Sequence, residues 1–499
     1  MTTYAELLIR ALPMGTAQQG LARVALALVL ALGVLAAHFM LGAAFGIYGF
    51  GWIALVAAAS FALSWELACA LVIACLLLQN AFIAAVLPLL GNPDNFSILL
   101  GTDFAIPVLL ALFYGPVWLK LRRNLPAESQ ALLLWLIIFF IVVVAYTGLG
   151  ALSVSLTSTL VYARVYFTGG LMLILGVVFG LRLPFGFIFN LARIVTVLLT
   201  GWAVVEYFFA YGLYDLFHVM QFFNLKLSSF SDTFTYASVA ELISNQTSSY
   251  LNLSGQFGLN IELLRLMGPN LHPISYAYAL AFCALTSFIG RRSVLTGLCL
   301  MLEVLIGAKG PLVMTLLALA LSLFYARTRN RRWLLAVLVG SLTLFVIVGL
   351  IYGIRSEDYH VVGLLGGLNG FLHNPLGHGI GVGGNMSTLG MTEANFSLFQ
   401  GYGADFALES GFGVMLYQIG IGAVAFYIFY WKLWKSVWKA TVFFAAEPRL
   451  VVIPIVLAFL VANSVFQEEV FSPTAWGLWL LLSGLLLARH WKISDSVHA

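Results

Sequence analysis

Residues 353–410 hold the chain's densest set of side chains able to move protons or bind anions: Arg355, Glu357, Asp358, His360, His373, His378, Asp405 and Glu409. A carboxylate beside a half-buried cavity can act as a general base toward a sugar hydroxyl, because burial raises its pKa. Glu409, in Ala407–Gly411 (ALESG), is the candidate base; its plainer role is a helix N-terminal carboxylate favoured by the macrodipole. His373, His378 and Asp405 are candidate substrate ligands. The three histidines stand 13 and 5 residues apart, which fits no simple one-face helical metal site, and no metal or cofactor is expected. Residues Gly379–Gly384 match GxGxxG without a surrounding βαβ unit, so a dinucleotide site is rejected. Their backbone N–H groups suit an anion-binding nest, but a tight turn needing positive φ is the favoured reading.

Five cations stand apart from the others: Arg164, Lys226, Arg265, Lys309 and Arg355. Arg binds phosphate bidentately and Lys binds it as a point charge, so such a set suits a pyrophosphate. Any one of them can instead pair with a carboxylate or snorkel to lipid headgroups. Lys226 has no distinctive neighbourhood and is the weakest member.

Elements that hold these residues must cross a membrane. The 499-residue chain is 62% hydrophobic and 9% charged, against about 25% charged in a soluble domain. Its mean hydropathy is +1.00. That excludes a soluble enzyme, a nucleic-acid binder and a disordered scaffold. Apolar stretches long enough to cross about 30 Å of hydrocarbon recur from end to end. Hydropathy predicts about fourteen spans, near 22–40, 46–64, 67–90, 102–119, 130–147, 165–181, 187–209, 273–290, 294–307, 311–326, 333–352, 411–431, 450–466 and 471–488. The expected fold is an all-α polytopic membrane protein forming one integral domain over 1–499. Cys69, Cys75, Cys283 and Cys299 lie in apolar stretches without CxxC spacing and read as packing residues. Met1–Gly20 lacks a signal-peptide pattern, so the first apolar run reads as a retained span.

The clusters Lys120/Arg122/Arg123, Arg291/Arg292, Arg327/Arg329/Arg331/Arg332 and Lys432/Lys435/Lys439 fall on one side if both termini are cytoplasmic. Lys and Arg accumulate in cytoplasmic loops, which favours that orientation. All but five of the 24 Lys and Arg then lie inside, and the five outside are the cations named above. Two outer loops are long, 210–272 and 353–410, and long loops in a compact protein are usually functional. The first is rich in Phe222, Phe223, Phe230, Phe234, Tyr236 and Tyr250, and short amphipathic helices on the outer membrane face are expected in it. Trp431, Trp434 and Trp438 interleave with lysines as an interface anchor.

Four segments within 260–425 resemble the O-antigen polymerase and O-antigen ligase superfamily of membrane glycosyltransferases. Arg265–Pro273 (RLMGPNLHP) is similar to the family's arginine, glycine and Pro-Asn stretch before a span. Ala308-Lys309-Gly310 stands where the family has Ser-Arg-Gly. Arg355 precedes Asn374–Gly381 (NPLGHGIG) by 19 residues, similar to the family's arginine followed by an NPLxGxGxG turn. Glu409-Ser410, then Gln418–Gly420, occupies the place of a His-Asn pair and Glu-x-Gly. The resemblance implies a GT-C-like fold in a bacterial cytoplasmic membrane with its active site facing the periplasm. It implies a glycan polymerase whose donor and acceptor are undecaprenyl-pyrophosphate-linked oligosaccharides, with a chain-length regulator as a further partner. Arg265, Arg355, Lys309 and Arg164 would hold the pyrophosphate. Glu409 stands where the family's ligases carry histidine, which favours polymerase over a ligase acting on lipid A-core. A lipid-linked oligosaccharide transporter is the alternative from another class; related halves and midplane charges would mark it.

Overall fold

The computed structural model describes residues 17–122, 127–228, 235–249, 262–356, 358–385, 387, 409–444 and 446–498. Its first half runs α1 (Ala17–Phe45), α2 (Ile47–Leu63), α3 (Trp65–Val86), α4 (Asp94–Leu100), α5 (Thr102–Arg122), α6 (Ala127–Ala151), α7 (Leu156–Arg182) and α8 (Phe185–Leu216). Two short helices follow, α9 (Val219–Ser228) and α10 (Val239–Gln246). A minimal antiparallel ladder comes next, β1 (Thr247–Ser249) with β2 (Glu262–Leu264), pairing Thr247 with Leu264 and Ser249 with Glu262. The second half comprises α11 (Pro273–Ile289), α12 (Ser293–Ile306), α13 (Lys309–Thr328), α14 (Arg331–Ser356), α15 (Tyr359–His373), α16 (Gly411–Ile419), α17 (Ala423–Phe443), α18 (Val452–Asn463) and α19 (Leu478–His498).

This is an all-α membrane protein. Among the described residues eight helices are long and apolar enough to cross a bilayer, and α4 with α5, bent by 52° at their junction, would make a ninth. Helices α2, α11, α12 and α18 are apolar but shorter. At about 1.5 Å per residue the 14-residue α12 reaches roughly 21 Å. Helices are the natural solution here, because they satisfy their own backbone hydrogen bonds where no water is available.

The chain divides into two compact units, Met1–Trp118 with Ile174–Leu317 and Leu119–Leu173 with Ala318–Ala499. In the first, α3 forms the core against α1 and α2, while α8 packs on α11 and α12. Helix α3 is 78% buried along its apolar window, so it is central. In the second, α17 packs against α6 and α19, and α15 lies against α16. Helix α14 is 11% buried, which leaves nearly its whole apolar surface for lipid.

The two long loops carry structure of their own. Residues 210–272 contain α9, α10 and the ladder, in keeping with the short helices expected of that segment. Residues 353–410 contain α15, whose glycines let it lie close to α16. A Cβ on Gly367 would come 2.4 Å from the Gly413 carbonyl oxygen, and one on Gly370 would strike the Tyr417 ring.

Candidate functional site

In the second unit the start of α16 is fixed by three bonds to residues 464–468. Ser410 is its N-cap: the hydroxyl accepts from Gly413 N–H at 3.0 Å and donates to the Val465 carbonyl at 2.7 Å. A serine satisfies an otherwise orphaned helix N–H in this way. Phe412 N–H donates to the Ser464 carbonyl at 2.7 Å, and Glu468 N–H to the Glu409 carbonyl at 2.6 Å. These bonds hold Glu409 at φ 57°, a left-handed conformation uncommon for a residue with a Cβ. Such strain persists only where the surroundings impose it, and it concentrates at functional positions. The Glu409 side chain is half-buried, its Oε2 3.8 Å from Nδ1 of His360. His360 opens α15, where its N–H donates to the Asp358 capping carboxylate at 3.0 Å.

Behind Glu409 stands a second carboxylate, Glu468, in the 3-10 turn Glu468–Phe471 after α18. Its Oε2 accepts from Asn385 N–H at 3.1 Å, the Tyr162 hydroxyl lies alongside, and Oε1 is withdrawn from solvent without a hydrogen-bond partner. Burial pushes this carboxyl up to about 7; the charges of Glu409 and Glu469 add to the shift, and the bonds from Tyr162 and Asn385 oppose it. Sequence reasoning missed Glu468. Its signal was available: an acidic doublet, Glu468-Glu469, interrupts an apolar run from 450 to 488.

The Gly-rich segment is a packing turn. Gly377, Gly379, Gly381, Gly383 and Gly384 all have positive φ. A Cβ on Gly379 would meet the backbone of Gly150, one on Gly381 the backbone of Thr159, and one on Gly384 the Tyr162 hydroxyl. The N–H groups of Gly377, His378, Gly379, Ile380 and Val382 donate to the carbonyls of Asn374, Tyr417, Gln418, Tyr146 and Gly379. Gly383 N–H donates to the Ser387 hydroxyl. With those donors committed, an anion nest along this segment is set aside. Gln418 ties the turn to α7: Nε2 donates to the Gly383 carbonyl at 2.8 Å, and Oε1 accepts from the Tyr166 hydroxyl at 3.2 Å.

His378 stacks on the Tyr417 ring at 4.0 Å, and its Nδ1 lies 3.1 Å from the Tyr417 carbonyl. A carbonyl only accepts, so Nδ1 carries a proton. His373, the exposed last residue of α15, spends Nδ1 in the same way on the Asn369 carbonyl at 2.9 Å. Each ring therefore keeps Nε2 outside these backbone bonds. Asp405 and Glu357 lie outside the described residues. Arg355 is exposed at the end of α14, and Arg164 is half-buried within α7. Comparison with protein-family models, with curated proteins and with solved structures finds no match.

Arg265 and Lys309 belong to the first unit. Arg265 follows β2, its N–H donating to the Gln246 carbonyl at 3.0 Å, and opens the turn Arg265–Pro273. Burial lowers its pKa from the usual value. The turn is clamped by Glu206, a fully buried carboxylate in α8 that sequence reasoning also missed. Glu206 accepts from Met267 N–H at 2.7 Å, from Gly268 N–H at 2.9 Å and from the Tyr214 hydroxyl at 2.6 Å. Gly268 sits at φ 61° with the Tyr276 ring where a Cβ would go. Asn270 donates to the Leu76 carbonyl at 3.2 Å, and its own carbonyl accepts from Asn80. The available signal for Glu206 was a carboxylate well inside a 32-residue apolar helix whose other acid, Asp215, stands at its end. Lys309 is exposed as the first residue of α13.

Arg265, Lys309 and Arg355 share one property: none has an acidic partner among the described residues. Some other cations make hydrogen bonds or an ion pair. Arg292 donates to the Phe189 carbonyl and Asn190, Arg331 to Tyr325 and the Trp438 carbonyl, and Lys439 pairs with Glu128.

Proposed function

We propose that the protein is a metal-independent glycan polymerase of a bacterial cytoplasmic membrane. It would cross the bilayer fourteen times with both termini inside, in a GT-C-like arrangement. The donor is an undecaprenyl-pyrophosphate-linked oligosaccharide, and the acceptor is a hydroxyl on a second lipid-linked repeat unit. In the reaction the acceptor oxygen bonds to the donor's anomeric carbon as that carbon's bond to the phosphate oxygen breaks. The acceptor proton passes to a base, and undecaprenyl pyrophosphate leaves.

The observation that carries the reading is the carboxylate pair of the second unit. Glu409, half-exposed and beside His360, is the base for the acceptor hydroxyl. Glu468, whose carboxyl titrates near 7, takes up and releases that proton behind it; two carboxyls in unlike environments divide such roles. Arg355 stands five residues before His360 and, with Arg164, is assigned to the pyrophosphate. Arg265 and Lys309, in the first unit, are proposed as ligands of lipid pyrophosphate on the ground of the motif resemblance. A leaving pyrophosphate develops negative charge, and preplaced cations away from bulk water stabilise it. The motif resemblance in 260–425 supports the same reading, and Glu409 in place of histidine favours polymerase over ligase.

The test is polymerisation of a lipid-linked repeat unit by purified protein. Arg355→Ala and Arg265→Ala are each expected to lower kcat by about 100- to 1,000-fold, the usual effect of losing one charge-stabilising donor. Glu409→Gln is expected to lose activity to a similar extent without losing donor binding. Full-length polymer from all three variants would overturn the assignment. Transfer to lipid A-core without polymer would identify a ligase, and movement of substrate across a vesicle without a glycosidic bond would identify a transporter.

A further inference from the structure

One cluster in the first unit takes no part in this reaction. Glu303 lies in α12 with no exposed surface, and neither of its carboxylate oxygens has a hydrogen-bond partner. The hydroxyl of Thr315 in α13, also fully buried, lies toward it without closing a hydrogen bond of ordinary geometry. One turn back along α12, Cys299 shares its face, and beside Cys299 is the unpartnered hydroxyl of Thr200 from α8. Both carboxylate oxygens of Glu303 and the Thr315 hydroxyl thus meet in the buried interior between α12 and α13, and the Thr200 hydroxyl lies one turn away beside Cys299.

Buried polar groups are hydrogen-bonded as a rule, and an isolated buried carboxylate does not stay ionised and bare. Among the described residues no cation faces it. Cys283 and Tyr276 approach from α11, and Glu206 lies behind Tyr276 from α8. Arg193 of α8 is exposed beside Arg292, 11 residues from Glu303 along the chain, and Lys309 of α13 is exposed. Among the described residues there is also no group of three His, Cys, Asp or Glu side chains fit for a divalent metal. A carboxylate with hydroxyl oxygens is a hard donor set of low charge.

We propose that Glu303, with Thr315, is a binding site for one exchangeable monovalent cation, a proton or a sodium ion, in the core of the first unit. Helix α12 ends one turn later at Gly307, in a left-handed conformation, and α13 begins at Lys309. Occupancy therefore ties α12 to α13 across the break that presents Lys309. The inference does not rest on the polymerase reading, because its readouts are binding and stability.

The test uses the full chain purified in detergent, with Glu303→Gln as the neutral isostere and Thr315→Val as a milder variant. Thermal unfolding is followed in sodium, potassium and choline chloride at constant ionic strength. The protonated-carboxyl band is followed by infrared difference spectroscopy as pH rises. If sodium occupies the site, the unfolding midpoint rises by several degrees in sodium over choline; the rise is lost in Glu303→Gln and reduced in Thr315→Val. If a proton does, sodium has no effect, and a carboxyl band present at low pH titrates away and is missing from Glu303→Gln. A wild-type protein with no cation-dependent shift and no titrating band assignable to Glu303 would overturn the proposal. Loss of polymerase activity with both readouts intact would count against the reaction assignment and leave this site standing.

Discussion

Glu468 makes the stability of this protein depend on pH in a direction opposite to that of a salt-bridged carboxylate. Its folded-state carboxyl titrates near 7, above the ordinary 4.5. Between those values the folded chain holds a proton that the unfolded chain has released, so stability falls as pH rises through this window and levels off above it. The displacement corresponds to about 3 kcal/mol at most. Glu468→Gln, which keeps the shape and removes the titration, is expected to flatten the loss of stability from pH 5 to pH 8. It should unfold at a higher temperature than the parent at pH 8; an unchanged slope would show that Glu468 is not the titrating group. Glu409, Arg355, Arg265 and Lys309 stand out as candidates in the sequence because charge is scarce and their residue types suit a phosphate leaving group. Glu468 and Glu206 do not, because a carboxylate inside an apolar stretch declares its role only through the backbone N–H groups folded onto it.

Helix α15 shows why elements were harder to read than residues. YHVVGLLGGLNGFLH carries four glycines, which costs intrinsic helix stability, and it falls inside a segment that hydropathy marks as a loop. It is a helix because those glycines let it approach α16 backbone to backbone, as small residues do between membrane helices. Gly367→Ala would set a methyl 2.4 Å from the Gly413 carbonyl oxygen, contact that neither helix can relieve by turning a side chain. That overpacking is expected to cost about 1–3 kcal/mol. Gly201→Ala in α8, with nothing within 4 Å of the new methyl, is the matched control and should be neutral or slightly stabilising. Equal loss of the unfolding midpoint in both would show that the α15–α16 approach is unimportant. The same packing makes His360 a positioned residue, since α15 sets where it meets Glu409.

The orientation of the chain in the bilayer decides which side its candidate pyrophosphate ligands face, and α14 tests it directly. Its 26 residues reach about 39 Å, more than the roughly 30 Å of hydrocarbon. Its start is flanked by Arg327, Arg329, Arg331 and Arg332, and its end carries Arg355 alone. The positive-inside rule therefore puts Thr328 in the cytoplasm and Ser356 in the periplasm. All four native cysteines are buried, so the parent protein gives little background to a thiol reagent. Both positions are exposed, which makes cysteine substitutions there accessible to a membrane-impermeant maleimide. In intact spheroplasts Ser356→Cys is expected to label and Thr328→Cys to label only after permeabilisation. The reverse pattern would place Arg355, His360 and Glu409 in the cytoplasm, where lipid-linked repeat units awaiting polymerisation are not found on the proposed route. Labelling of both from one side would mean that α14 does not cross the membrane, and the charge asymmetry from which the site was first read would lose its meaning.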